Sequence, residues 1–488
     1  MRHHNCTAYP LASRSLTRTT GRSLTRLGIT PHAGQAASLS RPLKVGEPTR
    51  LVQEPGSAVV RLSGVGYLGA VVRGAVVIAC AVSVSACGQS QTTTWMGEQP
   101  RDSVSIGDGD AVPDLAAAAD ALGLAMISLA EGNVVTSPAG AQVVLAMVGE
   151  GAAGPAATSL DALLGASGQR RTDAVNALLA DLARLDGDPR LAAQDDLPER
   201  TLVHLANQVT VDDRTRITPS YLDRLSTGYG AGITGTDLSS DQGKKVLDEW
   251  VRRESGGLVK ESAIEPAPDL RLVWQNALVI AARWQQPFDP VLTSDESFTL
   301  ADGQAVPSPM MRQSVGACYA EHHGWRAVRL PYDGGDLVAD MMLPPPGHGP
   351  TDLNHEGLLD LTRGLDCGEA VTDVQLYLPV LDLNTRLNLL PLLEQVIPGL
   401  LTPGGLPAIS SAEQLSVSQA VQQGVLRVDE EGTVAAVVTE VGAAGSAAAA
   451  ETPIALTFDR PYLVRIATTS TQWPLVLARV DDPRAYRP

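Results

Sequence analysis

The chain has 488 residues, 44% of them hydrophobic, which suits one large globular domain or two to three average ones, and with aromatics at 4% its core must be filled by Ala, Val and Leu. Of its 37 basic and 54 acidic residues, ten and two lie within residues 1–86, which leaves 27 against 52 from Cys87 onward, a net of −25. A folded part that acidic repels nucleic-acid phosphates and anionic lipid, so neither belongs among its partners.

In chain order, residues 1–60 come first. Arg14, Arg18, Arg22 and Arg26 sit among Ser and Thr with little acidic content, a composition shared by transit peptides and by unselected reading frame. The expectation is a non-native or disordered extension, with the native start near Val59 to Val65. Residues 61–87 read as a signal peptide: Arg73 precedes the apolar run Gly74–Val82, too short to span a bilayer comfortably, and small residues lead to Cys87. Val84-Ser85-Ala86-Cys87 resembles a bacterial lipobox, so Cys87 is the expected site of lipidation, with cleavage as an ordinary secreted protein as the alternative. One lipid would tether the protein outside the cytoplasmic membrane, extracellular or at the cell surface, without a spanning helix. Gly64 to Gly69 match a GxGxxG pattern, but within the leader and without a following acidic residue they carry no nucleotide site. Residues 88–111 are polar and turn-rich, a flexible linker.

From Pro113 the spacing of Leu115, Ala118, Ala119, Leu122, Ala125, Met126 and Leu129 predicts a helix, ended by Gly132-Asn133. Val134-Val135-Thr136 then form a short strand stopped by Ser137-Pro138, and a second helix runs through Val143 to Val148. Farther on, Asn276-Ala277 begins a strand that leads to Trp284 and Pro287-Phe288-Asp289-Pro290, and strand-rich stretches pass through Met310-Met311, Leu330-Pro331-Tyr332, Met341 to Pro344 and Leu376 to Pro379. Helices early and long strand-rich stretches afterwards predict an α+β domain over 112–485. Cys318 and Cys367 remain once the leader is removed; they either pair or stay as buried thiols. His204, His322, His323, His348 and His355 lack metal-ligand spacing, so no metal or cofactor is expected.

The most informative segment is Glu430-Glu431-Gly432-Thr433-Val434-Ala435-Ala436-Val437-Val438-Thr439, followed by a tract of Gly, Ala and Ser from Gly442 to Glu451 and then by Phe458-Asp459-Arg460-Pro461-Tyr462. Thr433, Ala435, Val437, Thr439 and Val441 share one face of a period-two pattern, while Glu440 falls on the other. A strand-competent segment joined to an unanchored tip describes a loop that can be cut and then join a sheet.

In order and spacing, these residues resemble the hinge and reactive-centre loop of the serpins. The resemblance covers about three quarters of the chain. It implies a serpin-like fold with a large central mixed β-sheet, two further sheets, about nine helices and an exposed loop. It also implies a protease inhibitor rather than an enzyme: a serine protease attacks the loop as substrate, and the cut loop inserts into the central sheet and traps the acyl-enzyme. A non-inhibitory serpin-like binding or structural protein, its loop merely cleaved, is the alternative. By the same resemblance Ser137, Asn276 and Gln422 fall in the shutter beneath the point where the sheet opens, and Trp284 in the breach at its top. Gln422 stands where the family usually has a histidine and can hydrogen-bond Asn276 instead; Gly140 stands where a second serine is usual. Val380 takes the place of a basic residue that often faces the first hinge glutamate, which leaves Glu430 to solvent. The family's spacing puts the scissile bond between Ser446 and Ala447 when counted from Gly432, and between Ala450 and Glu451 when counted from Phe458. With no Arg or Lys from Gly432 to Phe458, the expected partner is an elastase-like or subtilisin-like protease with a small apolar pocket, met by a monomer.

Overall fold

The computed structural model describes residues 101–194, 196–368, 370–434 and 453–484, together with the backbone of 93–95. The strand β1 (Thr93–Trp95) precedes helix α1 (Val112–Ile127), which carries Pro113 and Asp114 in its first turn and buries Leu115, Ala119, Leu122 and Met126. The buried strand β2 (Val134–Thr136) ends at Ser137, whose hydroxyl accepts from the Gly140 amide and caps α2 (Pro138–Gly149). Helices α3 (Gly154–Leu164) and α4 (Gly168–Leu182) lead to β3 (Leu202–Asp212), α5 (Pro219–Tyr229) and β4 (Gly232–Thr236). Helix α6 (Asp241–Glu254), capped by Ser240, buries one stripe of Gly243, Leu247 and Trp250. Strands β5 (Leu272–Arg283), β6 (Ser294–Thr299), β7 (Ala305–His322), β8 (Trp325–Pro331) and β9 (Leu337–Leu343) follow, then α7 (His355–Gly364), β10 (Thr372–Pro379), β11 (Leu381–Asn388) and α8 (Leu390–Val396). The chain closes with β12 (Val421–Val428), β13 (Gly432–Thr433), β14 (Ile454–Thr457), β15 (Tyr462–Thr468) and β16 (Pro474–Val480).

Seven strands form the main sheet in the order β1-β4-β3-β5-β13-β12-β11, with β3 and β4 parallel and every other pair antiparallel. The sheet is therefore mixed, as expected. The two further sheets are not separate: the 18-residue β7 pairs with β6 and β10 through its first part and with β8 through its last, so a path of eight strands runs from β14 to β2, with β6 as a ninth strand branching from β7. The length of β7 permits the fusion, because an 18-residue strand is well beyond the usual strand length and its two ends can pair with different neighbours. Among the described residues there are eight α-helices and five short 3₁₀ turns, against the nine helices expected. Asn276 lies within β5 rather than at its start, because Leu272 to Gln275 already pair with β3.

Ala, Val and Leu fill the core, as the shortage of aromatics requires. One buried charge cluster joins the layers: Arg465 on β15 donates to Asp120 on α1 and to Asp340 on β9, which also receives Arg329. Cys318 and Cys367 pair, which ties the end of β7 to the loop after α7. Among the described residues no helix is long and apolar enough to cross a membrane.

Candidate functional site

Among the described residues, the main sheet is joined at its middle by two residues. Gly432 and Thr433 of β13 pair with Arg283 and Ala282 of β5, and Thr433 pairs on its other side with Val428 of β12. Beneath them β5 and β12 share no ladder among the described residues, and a cavity of about 240 Å³ opens instead, lined by Asn276, Leu278, Ile280, Gln422, Gly424 and Thr433. A slot flanked by two strands with unmatched backbone edges is a template for one more strand.

The residues around Gly432 hold this arrangement from above. Asp429 turns the chain from β12 into β13, its carboxylate accepting from the amides of Glu431 at 3.0 Å and Gly432 at 3.1 Å. Burial, reinforced by the adjacent Glu430 and Glu431, still raises the Asp429 carboxyl above its ordinary range. A Cβ at Gly432 would stand 2.2 Å from the carbonyl oxygen of Ala282, so only glycine passes there. Trp284 reads the turn through two donors, its amide to the Glu431 carbonyl and its indole Nε1 to the Asp429 carbonyl, each at 2.9 Å. The Phe288 amide donates to the Glu430 carbonyl at 2.8 Å. The Trp284 ring stacks on Tyr332 at 4.6 Å, and the Tyr332 hydroxyl meets the buried hydroxyl of Thr433 at 2.5 Å. Trp284 thus lies directly beside the Asp429–Gly432 turn.

Two hinge carboxylates find partners that the sequence did not suggest. Glu431 pairs with Arg283, which also donates to the carbonyls of Leu197 and Pro198, and Glu430 accepts from the hydroxyl of Thr293. Glu430 is therefore hydrogen-bonded rather than left to solvent, and the basic residue missing at Val380 is replaced, for its neighbour, by one on the opposite strand. Arg283 and Thr293 were not singled out, and Tyr332 was named only as part of a strand-rich stretch. Adjacency of Arg283 to Trp284 is the one signal that pointed there, and it needs the β5–β13 register to be read.

Val434, the last described residue of the hinge, has φ +74°, a left-handed conformation that a β-branched residue adopts only under strain. Its amide donates to the Arg427 carbonyl at 3.0 Å, and its side chain packs with Leu197, Leu202, Val279 and Ala281. The expected hinge residues Ala435 to Thr439, the scissile candidates Ser446, Ala447, Ala450 and Glu451, and Cys87 lie outside the described residues. Beyond that segment β14 runs parallel to β10, and the fully buried Phe458 donates its amide to the Tyr377 carbonyl and packs edge-on against Tyr462.

Lower in the slot, Gln422 does not reach Asn276. Its amide oxygen accepts from the Ser137 amide at 2.9 Å and from the Thr136 hydroxyl, and its nitrogen donates to the Ser137 carbonyl at 3.0 Å. Asn276 turns to the other side and donates to Asn207 at 2.8 Å. With its oxygen and one N–H held by the β2–α2 junction, the Gln422 amide is turned toward Thr136 and Ser137 instead of across the slot, which is the physical reason the expected bond to Asn276 is not made. Gly140 belongs to the same arrangement, for a Cβ there would stand 2.2 Å from the Asn276 oxygen.

A family model described as Serpin, serine protease inhibitor, matches residues 119–483. Among curated relatives, Serpin A3-6 of Bos taurus is 26% identical over 357 residues, covering 72% of this chain and 83% of its own length. Iripin-8 of Ixodes ricinus is 28% identical over 304 residues, covering 60% and 75%. Among solved structures, the thermophilic serpin Tengpin in its native state superposes with a TM-score of 0.68 at 19% identity, covering 80% of this chain and 100% of its own. Arabidopsis AtSerpin1 in its native stressed conformation gives 0.64 at 21% identity, covering 78% and 100%. With a family match over most of the folded part and a main sheet held open beneath a buried Gly432-Thr433 hinge, this chain belongs to the serpins, a family made up mostly of protease inhibitors.

Proposed function

We propose that this protein inhibits serine-type endopeptidases as a suicide substrate, the cut loop entering the slot between β5 and β12. The observation that carries the reading is the two-residue β13 seated at the top of that slot with open space below it. The target's serine attacks the scissile carbonyl, the peptide C–N bond breaks, the new amine leaves with a proton supplied by the protease, and an acyl-enzyme remains. Insertion before water reaches that ester holds the protease. The inhibitor contributes no catalytic group; it contributes stored free energy. A strand of about ten residues gaining ladder bonds at roughly 1 kcal/mol each, plus side-chain burial, yields on the order of 10 kcal/mol, comparable to the stability of a whole domain.

The register on either side of Thr433 sets what insertion asks of each residue. Ala282 and Val428 are level with Thr433, so one step down the new strand is one step down β5 and one step back along β12. Continued in that way, Thr439 comes level with Asn276 and Gln422. The face of Ala435, Val437 and Thr439 meets the side of the sheet toward α2, where small and β-branched side chains fit. Glu440 comes level with Gln275, which is buried and donates toward the Leu247 carbonyl of α6. Burying that charge is costly, so Glu440 limits how readily insertion runs past the shutter. Straightening the hinge also frees Val434 from its left-handed strain, a contribution of roughly 1–2 kcal/mol in favour of insertion.

The small residues at Ser446–Ala447 and Ala450–Glu451 support elastase-like or subtilisin-like targets, and the four residues of the lipobox pattern support acylation at Cys87 as a surface anchor. Mixing the protein with an elastase and a subtilisin tests the reading. A band stable in denaturing gels near the summed masses, with a C-terminal peptide released from one bond between Ser446 and Glu451, is the expected result. Clean cleavage by both enzymes without that band would assign the protein to the non-inhibitory alternative.

A further inference from the structure

Five large apolar side chains are exposed among the described residues, and two of them are neighbours: Val291 is 88% exposed and Leu292 40%. Both lie on the 3₁₀ turn Pro290–Leu292 between β5 and β6, and the turn is braced. Pro290 fixes φ at its first position, and the Asp289 carboxylate accepts from the Val291 amide at 3.0 Å. Both flanks are tied to Glu430: the amide of the buried Phe288 donates to its carbonyl at 2.8 Å, and the Thr293 hydroxyl donates to its carboxylate. A lone exposed valine is ordinary on a protein surface. Two apolar side chains held out on a braced turn beside the hinge are apolar area kept available for a partner.

The two ends of the loop point to which partner. On the hinge side Glu430 is bonded to Thr293, which leads directly into β6; on the far side the chain re-enters at Ile454 of β14. Strands β6, β7, β10 and β14 lie side by side in that order, so the two ends stand over opposite edges of a surface three strand spacings, or about 14 Å, wide. A protease docked on the segment that joins those ends covers roughly 800 Å², a patch about 30 Å across, and so reaches past β6 to the turn. Residues 285–300 carry Asp289, Asp295 and Glu296, all exposed, and no Lys or Arg. We propose that Val291 and Leu292 form a second contact for the target protease, outside its cleft, matched to an apolar surface patch with basic side chains at its rim. The contact rests on the inhibitory reading for the identity of its partner, and it adds a determinant of partner choice that the loop sequence does not contain.

The second-order rate at which an elastase or a subtilisin cuts the full-length protein between Ser446 and Glu451 tests the contact, because it includes docking whether or not trapping follows. Val291→Asp with Leu292→Asp should slow that rate about tenfold or more for the enzyme that cuts faster, and leave the fraction trapped per cut unchanged. Ile106→Asp, at another exposed apolar residue, should leave the rate unchanged. Added salt should slow the wild type, and slow it less once Asp295→Asn and Glu296→Gln are in place. The proposal is overturned if the natively folded double Asp variant is cut at the wild-type rate, if Ile106→Asp slows cutting equally, if salt leaves the wild-type rate unchanged, or if neither enzyme cuts the wild type. It is also overturned if sedimentation shows the double variant turning a dimer into a monomer, since the turn would then be a contact between copies. Failure of the inhibitory reading looks different: wild type and variant are both cut without a stable complex, while the difference in rate persists. Should the Asp variant not fold, Val291→Ser with Leu292→Ser gives the same comparison with a smaller change in polarity.

Discussion

Thr433 is 2% exposed, its hydroxyl meets that of Tyr332, and its backbone is paired on both sides. An arginine there cannot enter the sheet without carrying an unpaired charge into the core. Thr433→Arg is therefore expected to remain a substrate of the target protease while losing the denaturant-stable complex, at least tenfold in the fraction trapped; a gel that shows the complex intact contradicts this role for the hinge. Asp429 makes a pH-dependent prediction. Its carboxyl is raised by burial above its ordinary value, against two backbone amides. A raised carboxyl favours the folded state when protonated, so that contribution is present below the ordinary carboxylate range and is lost as pH rises through the raised value. Asp429→Asn keeps an oxygen for both amides and removes the charge. Its melting midpoint should exceed that of the wild type at pH 7, with the gap closing as the pH falls toward about 4; an offset that is constant with pH would count against it.

Strand β13 is two residues long, so the elements around it decide how firmly it is seated. Arg283 on β5 reaches Glu431 and the carbonyls of Leu197 and Pro198, which fixes one edge of the slot to the chain entering β3. Arg283→Gln leaves the Glu431 carboxylate in a part-buried place without its cation, a loss of about 1–3 kcal/mol of native stability. The same substitution combined with Glu431→Gln should cost less than the sum of the two, by about 0.5–2 kcal/mol in a denaturant double-mutant cycle. Additive losses would show that the pair contributes nothing. Helix α1, the short strand β2 and helix α2 were legible because each is written in consecutive residues. The partners of Glu430, Glu431 and Gln422 were not, since they depend on which residues of β5, β12 and the β2–α2 junction come level. A histidine-to-glutamine change at position 422 predicts that a hydrogen bond is kept; only the register shows that Thr136 and Ser137 receive it and that Asn276 turns to Asn207.

Across the whole molecule, the fold class followed from the alternation of early helices and later strands, while the fusion of the two smaller sheets through β7 did not, because an 18-residue strand can serve one sheet or two. The Cys318–Cys367 pair was equally open from the sequence, and it closes across a separation of 49 residues. By chain entropy such a crosslink stabilises a fold by about 3–4 kcal/mol, so replacing both cysteines by serine should lower the denaturant midpoint accordingly while leaving trapping of the protease intact. Unchanged stability would mean the crosslink constrains a part of the chain that is already ordered when unfolded.

On the inhibitory reading proposed above, the slot between β5 and β12 stores free energy that the cut loop releases. The most direct measurement of that release is the thermal melt of the protein before and after a single cleavage between Ser446 and Glu451, with the two fragments kept together. Insertion predicts that the cleaved form melts far above the native one, by tens of degrees on the order expected from about 10 kcal/mol of added sheet. A cleaved form that melts at or below the native midpoint would contradict the account, because the slot would then be a cavity that the loop does not fill.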